Sequence, residues 1–265
     1  MSLLEAFIYG LLSGFSEILP VSSAAHQELM KRVFGLDTPP NTVNFLVRLS
    51  VLAVLIYSSL PELKQLRGIP VGGRRPRPSA DLRLVRTAAV PLLLGFLLVR
   101  YVRFLGERLP LLSLLLILNG LILYIPSRML HGNKDARGMS GWDGLLLGFF
   151  GTAGTVPGIS RTGVLLSVAS ARGADRRQGL KWMLILSVPA LAVLCLMDLA
   201  ALITLGSGAA VGFPGIVSAV SGAAVGCYFG IKLLRYLAVK AGFSGFAFYC
   251  WGVALFSFVM YLTVV

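Results

Sequence analysis

A chain of 265 residues with 56% hydrophobic and only 13% charged residues, at a mean hydropathy of +0.82, is not a soluble domain, which would carry roughly 25% charged residues. The net charge of +13 would suggest nucleic acid in a soluble protein. Here the basic residues lie mostly between apolar blocks, where the positive-inside rule and anionic headgroups account for them, so membrane lipids and not nucleic acid are the expected partners.

The N-terminus lacks the short basic region and small-residue cleavage site of a secretory signal, so insertion is expected to use the first hydrophobic segment uncleaved. The first 36 residues are an apolar run broken at Pro20. The stretch from Lys64 to Arg86 holds Lys64, Arg67, Arg74, Arg75, Arg77, Arg83 and Arg86 with Pro70, Pro76 and Pro78, and reads as an extended cytoplasmic loop over 61–86. Helices near 88–104 and 110–126 then go out and come back, returning the chain inside at Arg128, Lys134 and Arg137, where His131 is expected to be solvated. Segment 142–171 must begin and end inside; broken by Pro157-Gly158, it has the form of a re-entrant helical hairpin. A basic loop with Arg172, Arg176, Arg177 and Lys181 leads to helices near 183–205, 213–231 and 246–265. The uncharged Gly206 to Gly212 faces outside, and Lys232, Arg235 and Lys240 mark the last inner loop. Leu109 to Ile125, Met183 to Leu205, Val211 to Ile231 and Phe246 to Val265 are each long enough to cross ~30 Å of hydrocarbon as a helix. Cys195, Cys227 and Cys250 sit inside apolar blocks at wide spacing, which suggests neither a zinc site nor a disulfide framework.

The two broken segments resemble each other. Gly10-Leu11-Leu12-Ser13-Gly14-Phe15 matches Gly144-Leu145-Leu146-Leu147-Gly148-Phe149, and Pro20-Val21-Ser22-Ser23 answers Pro157-Gly158-Ile159-Ser160. The expected fold is therefore an all-α integral membrane protein, one membrane domain over 1–265, built as an inverted repeat in which each half is a re-entrant hairpin followed by three transmembrane helices. Repeat 1 covers about 1–126 and repeat 2 about 142–265. An odd number of crossings makes the hairpins enter from opposite leaflets, which brings their breaks to the bilayer midplane. Lys31 and Arg32 then fall on the outer side, against the charge rule.

Glu17 is the most unusual residue of the first hairpin, because an intramembrane carboxylate is costly and by default functional. His26 follows nine residues later, past Pro20 and the potential caps Ser22 and Ser23; a helix start there offers free N–H groups suited to phosphate. The second hairpin supplies Ser160, Arg161 and Thr162, with a planar guanidinium that matches phosphate oxygens. Ser22, Ser160, Arg161 and Thr162 are the candidate phosphate-binding residues, and Glu17, His26 and Arg161 the candidate catalytic ones. Glu17 facing His26 and Arg161 would join a metal ligand, a proton-transfer group and a phosphate clamp. The alternatives are a buried Glu17–Arg161 ion pair joining the repeats, an interfacial His26, and serines and threonine that are ordinary caps. Arg48 is as well explained by snorkelling. No HExxH, GxxxxGK[ST], CxxC or GxSxG motif occurs.

With these residues in view, the chain resembles the undecaprenyl-diphosphatase family associated with bacitracin resistance. That family's first motif, roughly E-G-x-x-E-F-L-P-V-S-S-x-x-H, appears as Ser13 through His26, and its second, P-G-x-S-R-S-x-x-T, as Pro157 through Leu165. The likeness extends to Leu186–Ala190, Gly230–Tyr236 and Phe246–Tyr249. The resemblance implies removal of the terminal phosphate from undecaprenyl diphosphate, recycling the peptidoglycan lipid carrier. It also implies a divalent cation, Mg2+ or Ca2+, and a site toward the outer side of the bacterial cytoplasmic membrane. By position Glu17 would bind the metal or assist proton transfer, His26 would be the nucleophile or general acid/base with Ser23 nearby, and Arg161 and Ser160 would hold the diphosphate. Ser13 and Leu165 replace a carboxylate and a threonine of the pattern, and Thr162 a serine. A prenyl-phosphate transporter or flippase and a catalytically weakened lipid-binding relative are the competing readings, and a homodimer is an open alternative to a monomer.

Overall fold

The computed structural model describes residues 2–33, 41–68, 78–96, 102–129, 132–207, 211–240 and 243–264. The helices are α1 (Leu3–Ile18), α2 (Ser23–Val33), α3 (Asn41–Ser58), α4 (Leu60–Leu66), α5 (Pro78–Gly95), α6 (Leu109–Ser127), α7 (Gly141–Gly151), α8 (Arg161–Ala171), α9 (Arg176–Leu205), α10 (Phe213–Lys240) and α11 (Ser244–Val264), with 3-10 turns at Arg103–Gly106 and Thr152–Thr155. Among the described residues five helices are long and apolar enough to cross a membrane: Asn41–Ser58, Leu109–Ser127, Arg176–Leu205, Phe213–Leu237 and Ser244–Thr263. Their outer faces expose Leu114, Leu118 and Ile125 of α6 and Leu255, Phe256 and Leu262 of α11. Such a surface would drive aggregation in water and is the solvated one in lipid. The chain is an all-α integral membrane protein.

Two expectations shift. The basic stretch 61–86 is not one extended loop, because α4 takes its start and α5 begins at Pro78, about ten residues before the helix expected near 88–104. Asp81 accounts for the early start: its carboxylate accepts from Lys181 Nζ at 2.7 Å and Trp182 Nε1 at 2.8 Å, which docks the first turn of α5 on α9. Arg83 is drawn in as well, donating to the Met139 carbonyl at 3.1 Å. Pro70, Arg74, Arg75, Pro76, Arg77 and His131 lie outside the described residues.

Each hairpin begins with a reciprocal cap: Ser2 with Glu5 on α1, Ser140 with Asp143 on α7. The hairpins open at opposite ends of the bundle. Leu3 is met by Ser218 near the start of α10, and Arg32 by the Glu107 carbonyl before α6. Asp143 instead pairs with Arg172, at the end where Lys134 bonds to Gly173 and Asp175, Lys181 to Asp81, and Arg235 to Ser58 and Glu62. That end gathers the basic loops. At the other, Lys31 and Arg32 are offset by Glu28, at 3.6 and 3.0 Å.

The repeated glycines let each hairpin reach the opposite half. A methyl group at Gly10 or Gly14 would collide with the carbonyl of Ala219 or Ala223 on α10, and one at Gly222 or Gly226 with the carbonyl of Phe7 or Leu11 on α1. Gly144 and Gly148 stand in the same relation to Thr87 and Ala88 of α5. Lipid offers no hydrophobic drive between helices, so backbone-close packing of small residues is what holds them.

The tips of the hairpins meet at α6. Asn119, fully buried, donates to the Pro20 carbonyl at 3.1 Å and accepts from the Ser160 N–H at 2.8 Å. The Ser22 hydroxyl accepts from the Gly158 N–H at 3.0 Å, and the Thr162 hydroxyl donates to the Leu19 carbonyl at 3.1 Å. Gly14→Leu is expected to destabilise the protein by about 1–3 kcal/mol through overpacking, read as a lower unfolding temperature in detergent, with Gly141→Ala, which meets nothing within 4 Å, as the neutral control. Asn119→Leu strips two buried backbone groups of their partner; a loss of about 1–3 kcal/mol is expected in the same assay.

Candidate active site

The chain leaves α1 at Leu19 in an extended conformation, because Pro20 cannot continue the helix. Ser22 then adopts φ 69°, a left-handed value that a non-glycine residue holds only when its surroundings impose it. The hydrogen bond from Gly158, itself at φ 96°, is one such constraint. On the second hairpin Ser160 caps α8, its hydroxyl accepting from the Gly163 N–H at 3.2 Å.

Glu17 on the last turn of α1 and Arg161 on the first of α8 face each other across this junction, Arg161 Nη2 donating to Glu17 Oε1 at 3.1 Å. Both are buried, Arg161 to 7% exposure. The second Glu17 oxygen lies 4.0 Å from Arg48 Nη1, and Arg48 Nε donates to Asp198 Oδ2 at 2.5 Å. Four charges thus alternate as Arg161, Glu17, Arg48, Asp198. The guanidinium of Arg48 is held inward, so the snorkelling reading gives way to a paired one. Ser23 opens α2 and lines the same cavity as Glu17.

These residues line a cavity of about 440 Å³ together with Ser22, Gln27, Asn41, Asn44 and Ser160. Asn41 and Leu205 border it at the ends of α3 and α9 away from the basic loops. Arg161 Nε is buried with no hydrogen-bond partner among the described residues. The Arg161 side chain also contributes to the lining of the polar cavity, beside the N-terminus of α8.

Two predicted residues sit elsewhere. His26 does not face Arg161: Nδ1 lies 2.8 Å from the Ser22 carbonyl and Nε2 2.8 Å from the Tyr249 hydroxyl, with the two rings stacked. Because a carbonyl only accepts, Nδ1 carries the proton and Nε2 accepts from the tyrosine. Its ring lines a second, largely apolar cavity of about 590 Å³ with Leu12, Phe15, Val21, Leu237 and Phe248. Ser16 borders both cavities. Thr162 is turned into the tip junction, bonded to Leu19 and to Ser160, and does not line the polar cavity. Leu165 is buried against Gly151.

Asp198 and Asn119 escaped the sequence reading, although each is a lone polar residue in an apolar block and the argument that singled out Glu17 applies to both. Ser13, one turn before Glu17, is buried beside Tyr9 and Arg48 at a crevice of about 10 Å³, room for one water molecule or less. Among the described residues no three His, Cys, Asp or Glu side chains converge to hold a metal ion, and both carboxylates of the cavity are already engaged by guanidinium groups. This donor set does not fit the resident divalent cation that the resemblance implies.

Comparisons with known proteins bear on the whole chain. Undecaprenyl-diphosphatase 1 of Shouchella clausii is 29% identical, covering 98% of this chain and 96% of the relative. The undecaprenyl-diphosphatase of Carboxydothermus hydrogenoformans is 27% identical, over 95% and 94%, and that of Methanobrevibacter smithii 29% identical, over 99% of each. The family model described as bacitracin resistance protein BacA matches residues 6–256, a span that holds the glycine seams and the junction, and the chain belongs to the BacA family.

Proposed function

We propose that this protein hydrolyses undecaprenyl diphosphate to undecaprenyl phosphate and phosphate. The observation that carries the reading is that Arg161 lines a polar cavity that shares its Ser16 wall with an apolar one. A diphosphate bearing a long prenyl chain matches that pair of surfaces. The phosphate would take Arg161, a fork that binds two oxygens at once, near the start of α8 and Ser160.

The chemistry follows from the same contacts. A phosphate drawing Arg161 toward itself loosens the guanidinium from Glu17, which then accepts the proton of the attacking oxygen, from Ser23 or from water beside it. The new bond forms to the terminal phosphorus, the bond from that phosphorus to the bridging oxygen breaks, and undecaprenyl phosphate leaves. If Ser23 attacks, water then cleaves the serine phosphoester and releases phosphate. His26, with both ring nitrogens engaged, serves the wall between the two cavities in this scheme.

We further infer that the two halves form an inverted repeat, a reading supported by hairpins that open at opposite ends and by glycine seams that exchange partners between halves. Positive loops at the closed end support placement of the cavity on the outer side of a bacterial cytoplasmic membrane.

Purified protein is expected to release phosphate from undecaprenyl diphosphate, with kcat/KM lowered by a factor of about 100–1000 in Arg161→Lys, which keeps the charge and loses the fork, and by a comparable factor in Glu17→Gln. No release from the wild type, with labelled prenyl phosphate crossing proteoliposomes instead, would replace the phosphatase with a transporter. The tail site has its own test. A methyl at Gly245 meets nothing within 4 Å, and this residue lines the apolar cavity. A prenyl chain moves there from one apolar medium to another, so the gain is packing rather than transfer from water. Gly245→Trp should therefore raise KM for undecaprenyl diphosphate only by a factor of about three to ten, or roughly 1 kcal/mol, and leave a short-chain prenyl diphosphate unaffected.

A further inference from the structure

The charges of the polar cavity are arranged for a site that carries its own second cation. Glu17 and Asp198 supply two negative charges, Arg48 and Arg161 two positive ones, and each carboxylate oxygen named above faces a guanidinium. The four sum to zero, so no residual negative charge remains to attract a divalent ion. A metal seated at Glu17 would lie beside two guanidinium groups and be repelled by both.

The local packing agrees. Where the family pattern has a carboxylate, this chain has Ser13, and the crevice there is closed to about 10 Å³ by Tyr9, Glu17, Asn44, Val47 and Arg48. A hydrated ion does not fit in that volume. Arg48 reaches the crevice and also lines the larger cavity. Asp198 fixes its Nε edge, which aims the rest of the fork at Glu17 and the cavity.

We propose that Arg48 takes the place of a divalent cation in this protein, so that the diphosphate is held between two guanidinium groups, Arg48 and Arg161, and binds without metal. The proposal rests on the phosphatase reading for its substrate, but its binding component can be measured apart from turnover. Arg48 gives a fixed charge with directed N–H donors, whereas a hydrated ion gives a movable one. The role is electrostatic: it offsets charge on the phosphate oxygens as the bond to the bridging oxygen breaks.

The test uses the full-length protein in detergent, freed of metal with EDTA. Binding of labelled inorganic pyrophosphate is measured with EDTA and with magnesium, for wild type, Arg48→Gln, Arg48→Lys and the double variant Ser13→Glu/Arg48→Gln, each checked for a monodisperse elution profile. Wild-type binding within about twofold in the two conditions, weakened at least about tenfold in Arg48→Gln, supports the proposal. Magnesium-dependent binding in the wild type, or undiminished binding in Arg48→Gln, overturns it. Should Arg48→Gln fail to fold, Arg48→Lys replaces it, with weakened binding in EDTA expected, and the wild-type response to EDTA alone remains decisive against the idea. The double variant should become magnesium-dependent in both binding and phosphate release; metal-free activity equal to wild type would count against Arg48. Phosphate release under the same conditions separates the two readings: pyrophosphate bound without metal but no hydrolysis sinks the phosphatase and leaves the two-guanidinium site standing.

Discussion

Two helices broken inside a membrane pose one physical problem, and the rest of the molecule is arranged around its solution. Pro20 and Pro157-Gly158 free backbone N–H and carbonyl groups in the buried interior, where each unpaired group is expensive. The tips solve it mutually. Gly158 gives its N–H to Ser22, Leu19 gives its carbonyl to Thr162, and Asn119 joins Pro20 to Ser160. Neither hairpin is complete alone, which is why the glycine seams must carry each one across to the other half.

The same junction creates the chemistry. Ending α1 just after Glu17 and starting α8 at Arg161 leaves both side chains at helix ends, opposite one another and short of the tight backbone contacts. The strained Ser22 marks where the chain turns so that Ser23 can face Glu17 while Ser22 itself serves the tip. Ionisable residues in lipid persist when they are paired, and the alternation from Arg161 to Asp198 is such a pairing.

Much of this was legible in the residues. The apolar blocks located four of the five spanning helices, and the repeated Gly-x-x-x-Gly and Pro-containing segments located both hairpins. Glu17 and Arg161 stood out by the expense of burying them. What could not be read was direction. His26 lies three residues after Ser23 on the same helix, a spacing that puts the two on neighbouring faces, yet contacts with the Ser22 carbonyl and the Tyr249 hydroxyl hold its ring in a different cavity. Arg48 looked like a surface residue because its partner, Asp198, is 150 positions away; pair distances of that kind are a property of the fold. The early start of α5 was likewise hidden, since its anchor is the contact of Asp81 with Lys181 and Trp182 on another helix.

The opposite openings of the hairpins give the site an unusual relation to its solvent. The two hairpins open at opposite ends of the bundle, so their meeting point ties one end to the other. A thicker or thinner membrane shifts the anchoring ends relative to each other at a cost of fractions of a kcal/mol per Å. Any give between the two ends falls on the junction, where hydrogen bonds of 2.8–3.5 Å join the two tips.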